Sequence, residues 1–132
     1  NEWDIVNARQ SGRTLAKQLG FGTVDQARIA TAISELARNI YLYAPDGGQI
    51  CIETFKQSGK TGLKIIATDS GPGISDIRKA LEDGYTTSGG LGAGLPGVKR
   101  LMDEFSIRSE TDKGTEITAM KWLHSAAGTI AP

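Results

Sequence analysis

The sequence has 132 residues, of which 39% are hydrophobic, and this length suits one domain with its own core. Fifteen basic residues balance fifteen acidic residues, and the formal net charge of zero argues against sequence-independent binding to nucleic acid, which needs a basic face. No stretch reaches the roughly 20 consecutive apolar residues of a membrane span. The single cysteine, Cys51, cannot form an internal disulfide bond, so we expect a soluble cytoplasmic protein with a reduced thiol.

Two amphipathic helices are predicted in the first third of the chain. In the first helix, small and apolar residues recur at helical spacing: Ile5, Ala8, Gly12, Leu15, Ala16 and Leu19. Gly20 is expected to end this helix. Thr23 and Gln26 have the spacing of a capping box, in which the threonine hydroxyl accepts a backbone hydrogen bond at the start of the second helix. The second helix, which is expected to end before Pro45, has its own apolar stripe: Ile29, Ile33, Leu36, Ala37 and Ile40.

The rest of the chain alternates between strand and helix patterns. Strands are predicted over residues 49–55, 63–68, 105–109 and 115–122, with a hairpin loop over 56–62. Helices are predicted over residues 76–83 and 93–104, separated by a glycine-rich loop over 84–92, and Pro96 is tolerated because it lies in a first helical turn. Cys51 lies in an apolar strand and is expected to be buried.

This order predicts an α+β fold, a two-layer sandwich with helices on one face of a mixed, largely antiparallel sheet. We expect residues 1–132 to form a single domain, with residues from about 123 to 132 as a loose tail that leaves His124 in solvent.

A glycine-rich motif at residues 92–97 matches the dinucleotide fingerprint G-x-G-x-x-G. That fingerprint must follow a buried strand in a parallel sheet, but the preceding residues 84–90 are polar and glycine-rich. The sequence also lacks the phosphate-loop motif G-x-x-x-x-G-K-[ST]. Both of these common nucleotide sites are therefore rejected.

A polar stripe on the second helix suggests a different site. Thr31, Glu35 and Asn39 are spaced four residues apart and share one face of the helix, away from its apolar stripe. Glu35 and Asn39 offer oxygen atoms, which Mg²⁺ accepts as ligands when phosphates supply the others. Taken alone, such a stripe is more often a solvated surface.

A carboxylate and two glycines end the apolar strand over residues 63–68, in the segment Asp-Ser-Gly-Pro-Gly-Ile at 69–74. Together with Glu-Leu-Ala-Arg-Asn at 35–39, Gly-Leu-Gly-Ala-Gly at 90–94 and Gly-Thr at 114–115, this segment resembles the four ordered sequence boxes of the Bergerat-fold ATPases. These comprise gyrases, chaperones, histidine kinases and mismatch-repair proteins. The whole chain resembles the anti-sigma-factor-type serine kinases, most closely the switch kinases of bacterial stressosomes.

The resemblance implies that ATP binds at the end of the strand that carries Asp69. The Asp69 carboxylate would accept a hydrogen bond from the adenine amino group, and Thr115 would hold the same edge of the ring. Gly71 and Gly73 would let the backbone pass close to the base, where a Cβ atom would intrude. Ile74 is a further nucleotide-binding position implied by the resemblance.

The resemblance also assigns residues to the phosphates. Asn39 would bind Mg²⁺, Glu35 would act as the base for an attacking hydroxyl, and Thr87 would contact the nucleotide. A glycine-rich lid at the start of the later helix would present backbone N–H groups to the phosphates: Gly90, Gly92 and Gly94. Some relatives have an arginine in this loop that reaches the γ-phosphate, but no arginine lies between residues 84 and 97. The residue that would supply positive charge there is therefore left open, and the candidates are Arg38, Lys99 and Arg100. Helical spacing can point Lys99 and Arg100 outward.

Three functions are consistent with this resemblance. The first is a serine/threonine kinase that phosphorylates a small STAS-type antagonist protein and then activates a phosphatase. The second is a nucleotide-gated, anti-sigma-type binding module with little catalysis. The third, a detached histidine-kinase domain, would require a dimerising helix with a histidine, which this sequence lacks. Glu35 favours the kinase, because nucleotide binding alone needs no base.

Arg9 and Arg13 lie one turn apart on the first helix. They could form part of a partner-docking face, and a solvated helix surface is an equally good interpretation.

Overall fold

The computed structural model describes residues 2–44, 47–71, 94–110 and 113–124. Seven elements follow in chain order: α1 (Glu2–Leu19), α2 (Thr23–Tyr43), β1 (Gly48–Gln57), β2 (Lys60–Asp69), α3 (Gly94–Leu101), β3 (Glu104–Glu110) and β4 (Gly114–Trp122). The predicted helix over 76–83 and the predicted loop over 84–92 lie outside the described residues. None of the described helices is long and apolar enough to cross a lipid bilayer.

The four described strands form one sheet in the order β1-β2-β4-β3, and all three pairings are antiparallel. Because side chains alternate between the two faces of a strand, one face of the sheet carries the core residues Leu63, Ile65 and Ala67 of β2 and Ile117 and Ala119 of β4. The helices pack on this face. The predicted α+β class, with helices layered on one side of the sheet, is confirmed.

The core lies between the sheet and the apolar stripe of α2. Ile29, Ile33 and Leu36 are fully buried on this stripe. Gly12 of α1 is also buried, and a Cβ atom built at Gly12 would overlap the Cδ1 atom of Ile33. The missing side chain therefore lets α1 approach α2 closely.

The connection between α1 and α2 differs from the prediction in one respect. Gly20 has a φ of +102° and follows the last residue of α1, as expected. The predicted capping box is wrong, because the residue before α2 is Gly22 and no side chain caps the helix. Thr23 is already helical, so its hydroxyl cannot occupy the capping position. The amide of Gln26 instead donates to the carbonyl of Phe21, at 2.7 Å.

The β1–β2 hairpin is tighter than the sequence suggests. Ser58 and Gly59 form a two-residue turn with φ values of 53° and 79°, the positive φ pair of a type I′ turn, so both strands extend into the predicted loop. The prediction that Cys51 is buried is wrong. Ile50 and Ile52 pack against the core, and alternation turns Cys51 to the opposite face of this edge strand.

The last helix is shorter than predicted. The helix α3 ends at Leu101, and the chain enters β3 at Glu104. Pro96 lies in the first turn, as expected, and is buried together with Leu95 and Val98. His124 is exposed after the end of β4.

Candidate nucleotide-binding site

Asp69 is the last residue of a central strand and lies between two neighbouring strands. In the register of the sheet, it pairs with Gly48 of β1 and with Thr115 of β4. Asp69 and Thr115 belong to the face of the sheet that carries the helices, since they continue the alternation of Leu63, Ile65 and Ala67. Asp69 is half-buried and Thr115 is buried, so the pair sits at the end of the core.

Glycines allow both neighbouring strands to approach Asp69. A Cβ atom at Gly48 would overlap the carbonyl oxygen of Thr68 and lie 2.9 Å from the Cβ atom of Asp69. Gly114 has a φ of +101°, and a Cβ atom there would overlap the carbonyl oxygen of Asp69. Sequence reasoning singled out Gly114 but not Gly48, whose role depends on strand register.

One of the two oxygens of the Asp69 carboxylate is held by a hydrogen bond within its own turn. The backbone N–H of Gly71 donates to Oδ1 at 2.8 Å, which closes a local turn between an aspartate and the second residue after it. The other oxygen, Oδ2, accepts no hydrogen bond from any of the described residues. The carboxylate is therefore oriented by its own backbone and offers a second acceptor to a ligand.

Thr115 is oriented by a neighbouring hydroxyl. Ser109 lies opposite Thr115 in the β3–β4 register, and their hydroxyl oxygens are 2.9 Å apart. The Ser109 hydroxyl also donates to the carbonyl of Gly114 at 3.1 Å. Either hydroxyl can be the donor of the pair, and in both cases the contact orients the Thr115 hydroxyl. Ser109 was missed from the sequence, and only its register position would have identified it.

Glu35 and Asn39 lie toward the same end of the molecule as Asp69. The last residues of α2 lead within a few residues into Gly48, the partner of Asp69, so the second half of α2 is the half nearest to the site. Both side chains are half-buried on α2, whereas Thr31 is exposed. Among the described residues no three histidine, cysteine, aspartate or glutamate side chains cluster as metal ligands.

The helix α3 runs antiparallel to α2. Its C-terminal carbonyl, at Leu101, accepts a hydrogen bond from Lys121, whose ammonium group also lies 3.8 Å from Asp25 in the first turn of α2. The opposite end of α3, at Gly94, therefore points toward the second half of α2. Eight helical residues span about 12 Å.

The remaining predicted site residues divide into two groups. Gly71 is buried beside Asp69, and Lys99 and Arg100 are exposed, as their helical spacing suggested. Five lie outside the described residues and stay predictions: Gly73, Ile74, Thr87, Gly90 and Gly92. The structure describes Gly94 at the start of α3, but none of the preceding lid.

A comparison with known families identifies the class of protein. The family model for histidine kinase-, DNA gyrase B- and HSP90-like ATPases matches residues 24–125, which include Asp69, Thr115, Glu35 and Asn39. The chain belongs to this ATPase family.

Two relatives narrow the class further. The chain is 75% identical to the serine/threonine-protein kinase RsbT of Bacillus subtilis (strain 168) over 122 residues, which cover 92% of this chain and 91% of the relative. It is 32% identical to an anti-sigma F factor of Thermoanaerobacter sp. (strain X514), covering 89% and 85% of the two chains. The predicted activity is confirmed by the first match, and the chain is a protein serine/threonine kinase.

Solved structures support the fold. The mycobacterial sensor histidine kinase MprB has a TM-score of 0.55 and 20% identity, over 74% of this chain and 72% of that chain. Full-length ShkA, solved in complex with AMPPNP, has a TM-score of 0.58 and 22% identity, over 78% of this chain and 23% of that chain. At these identities the two structures establish the shared Bergerat fold.

The close approach at Gly114 can be tested with Gly114→Ala and a matched control. We expect Gly114→Ala to lower ATP affinity by about 10- to 100-fold, because it would displace Asp69 and so remove the hydrogen bond to adenine that the family resemblance implies for this carboxylate, a loss of about 1.5–3 kcal/mol. Isothermal titration with ATP measures the affinity, and thermal unfolding measures stability.

The control is Gly20→Ala, because Gly20 has nearly the same φ, +102°, with no atom within 4 Å of the added Cβ. Both variants incur the cost of a positive φ, about 1–2 kcal/mol. Only Gly114→Ala should lose ATP binding. Equal ATP affinity of the two folded variants would rule out a role for this close approach in the site.

Proposed function

We propose that this kinase binds the adenine of ATP at Asp69 and Thr115 and transfers the γ-phosphoryl group to a hydroxyl of a small partner protein. The proposal rests on the half-buried Asp69 carboxylate. Its Oδ1 accepts the backbone N–H of Gly71, and its Oδ2 is left to accept a hydrogen bond from a ligand at the edge of the core. An acceptor held in this way suits an amino group such as that of adenine. A hydrogen bond to a desolvated carboxylate contributes about 1.5–3 kcal/mol.

Thr115 completes the proposed adenine site. Its hydroxyl lies 2.9 Å from that of Ser109, and Thr115 lies directly across the β2–β4 ladder from Asp69. The edge of adenine presents an amino donor beside an acceptor ring nitrogen. A carboxylate that accepts, next to a hydroxyl that can donate or accept, suits this edge better than a base with a carbonyl in place of the amino group.

Asn39 is the proposed Mg²⁺ ligand. Its amide oxygen is a hard donor on the half of α2 nearest to Asp69, and Mg²⁺ takes few protein ligands when phosphates and water supply the rest. When bound, the ion would neutralise charge on the phosphates. Gly94 begins α3 with backbone N–H groups that suit an anion, as in the predicted lid.

Glu35 is the proposed general base. It lies one helical turn before Asn39 and on the same face, so a hydroxyl at Glu35 would be about 6 Å along the helix from the metal ligand. Glu35 accepts the hydroxyl proton while the hydroxyl oxygen bonds to the γ-phosphorus. The bond from that phosphorus to the bridging oxygen breaks, and ADP leaves.

The proposed substrate is a STAS-type antagonist protein in bacterial stress signalling, and the proposed second partner is a phosphatase that the kinase activates after release. The sequence resemblance to stressosome switch kinases and the 75% identity to RsbT support this proposal. A cytoplasmic location follows from the same proposal, because such partners act there.

A nucleotide-gated binding module is the second candidate. The similarity to anti-sigma F factors, at 32% identity, favours a chain that captures a protein partner when nucleotide is bound. The two functions differ in what they require of Glu35. Capture needs the nucleotide and metal contacts, but only phosphoryl transfer needs a base.

Replacing Glu35 with Gln separates these two functions. The amide keeps the size of the side chain but cannot accept the proton, and base catalysis contributes about 10²–10⁴-fold, so we expect phosphoryl transfer to fall by that factor. Affinity for ATP should be unchanged. Transfer of labelled phosphate to the partner protein measures the rate, with Glu53→Gln, on the exposed face of β1, as the control.

Asn39→Ala provides the contrast, because it should weaken the ATP–Mg²⁺ complex itself. If Glu35→Gln phosphorylates the partner at the normal rate, Glu35 has no role as a base. The binding module would then be the better description.

Arg9 and Arg13 are the proposed partner-docking residues on α1. Both side chains are exposed, and neither forms an ion pair with another described residue. We expect the double replacement Arg9→Glu, Arg13→Glu to weaken capture of the partner at least tenfold without changing ATP affinity, because it reverses two exposed charges that make no proposed contact with the nucleotide. Surface plasmon resonance with the partner protein measures capture.

The control is the double replacement Lys56→Glu, Lys60→Glu, which reverses two exposed charges in the β1–β2 hairpin, at the end of the sheet opposite to Asp69. Equal weakening by both double variants would indicate a general charge effect. Unchanged capture after the α1 replacement would remove this face from the interface.

A further inference from the structure

Lys121 is a buried lysine at the end of the sheet opposite to the proposed adenine site. It is the second-last residue of β4, is only 6% exposed, and lies on the helix-facing side of the strand. Its ammonium group donates to the carbonyl oxygen of Leu101 at 2.8 Å. It also lies 3.5 Å from Oδ1 of Asp103 and 3.8 Å from Oδ1 of Asp25.

These partners stabilise a charge that would otherwise be costly to bury. An unpaired ammonium in a protein interior costs several kcal/mol, whereas two carboxylates and the negative end of a helix dipole favour it. The partners are themselves held in place. Oδ2 of Asp103 accepts the backbone N–H of Trp122 at 2.8 Å, and Oδ1 of Asp25 accepts a hydrogen bond from Arg28 at 3.0 Å.

The ammonium group joins three elements. Asp25 belongs to the first turn of α2, Leu101 ends α3, and Lys121 itself belongs to β4. Each element has a proposed site residue toward its other end: Glu35 and Asn39 on α2, Gly94 on α3 and Thr115 on β4. Because helices are rigid over a few turns, fixing one end of α3 also sets the direction in which its first turn points.

The proposed adenine site at Asp69 and Thr115 does not depend on Lys121 for its position. Asp69 and Thr115 are placed by the backbone ladder between β2 and β4 and by the glycines beside them. The C-terminal end of α3 is joined to β3 by two residues, and the backbone N–H of Asp103 between them donates to the carbonyl of Met120 at 2.9 Å. Side-chain packing of residues such as Leu95 and Val98 and the bond from Lys121 add to this connection, and Lys121 also links the end of α3 to Asp25 in the first turn of α2.

We propose that Lys121 is a positioning residue for the phosphate end of the nucleotide site. It acts through α3, whose N-terminal turn it holds opposite the Glu35 and Asn39 half of α2. This inference rests on the proposed function, because it assumes that the phosphates lie between these two helices. It assigns no contact between Lys121 and the nucleotide.

The test compares ATP with adenosine, which lacks the phosphates, in the variant Lys121→Met, which keeps most of the length of the side chain but removes its charge and its hydrogen-bond donor. We expect the affinity for ATP with Mg²⁺ to fall about tenfold and the affinity for adenosine to stay the same. The kcat of phosphoryl transfer should also fall about tenfold or more, since a displacement of about 1 Å can cost on the order of 10²-fold. Titration calorimetry and steady-state kinetics give these values.

The matched control is Lys64→Met on β2, which removes a charge from the opposite face of the same sheet, where Lys64 lies across from Met120. It should leave both affinities and kcat unchanged. A general loss of stability in Lys121→Met would lower the affinities for ATP and adenosine together. The ratio of the two affinities is therefore the decisive quantity.

An unchanged ratio in folded Lys121→Met overturns the proposal. If Lys121→Met does not fold, Lys121→Gln decides, because its shorter, uncharged side chain stays polar but withdraws the ammonium group from the carbonyl of Leu101. A lowered ratio in Lys121→Gln supports the proposal and an unchanged ratio overturns it. Failure of the proposed function gives a different result, since Glu35→Gln would then transfer phosphate at the normal rate whatever the ratio in Lys121→Met.

Discussion

The close approach of three backbones at Gly48, Asp69 and Thr115 is the constraint on which the rest of the proposed site depends. Strand β2 pairs with an antiparallel neighbour on each side, so backbone hydrogen bonds fix the position of Asp69 from both sides. Side chains larger than hydrogen at positions 48 and 114 would push these strands apart. The local turn at Gly71 then fixes the carboxylate itself. The acceptor proposed to recognise adenine is thus oriented before any ligand binds, and preorganisation of this kind lowers the cost of binding.

The two ends of the proposed nucleotide site are held in place by different interactions. The proposed adenine end is part of the sheet, where each position is set by backbone hydrogen bonds. The proposed phosphate end lies between α2 and α3, whose relative position depends on side-chain packing, on the short connection from α3 to the sheet and on the buried charge of Lys121. Such a division would let the phosphate end move during a catalytic cycle while the base stays bound. It would also let a partner that contacts α2 or α3 influence transfer without competing for the adenine site.

The sequence predicted the fold class and the order of elements because both depend on periodicity, which a single sequence displays directly. The predicted strand over 49–55 and its neighbour over 63–68 were correct in place and pairing, although the turn between them was shorter. Periodicity does not indicate which face of an edge strand is covered, and this explains the error at Cys51. The capping box failed for a similar reason: a helix that starts one residue early moves Thr23 inside the first turn.

The proposed site was predictable only in part. Asp69, Glu35 and Asn39 were found because acidic and amide side chains in short motifs are conspicuous in a sequence. Gly48 and Ser109 were not found, since their importance comes from the residues opposite them in neighbouring strands. Lys121 was also missed, because a lysine at the end of a strand gives no sign of burial until Asp25 and Leu101 are brought beside it.

The central claim, that the Asp69 carboxylate reads the adenine amino group, is tested most directly by comparing ATP with inosine triphosphate on the unmodified protein. Inosine carries a carbonyl oxygen in place of the amino group, so the carboxylate would face another acceptor and lose its hydrogen bond. We expect ATP to bind about 10- to 100-fold more tightly, in line with the loss of about 1.5–3 kcal/mol for a bond to a charged acceptor. In Asp69→Asn, whose amide can donate to a carbonyl, this preference should shrink. Equal binding of the two nucleotides by the unmodified protein would contradict the assignment of Asp69.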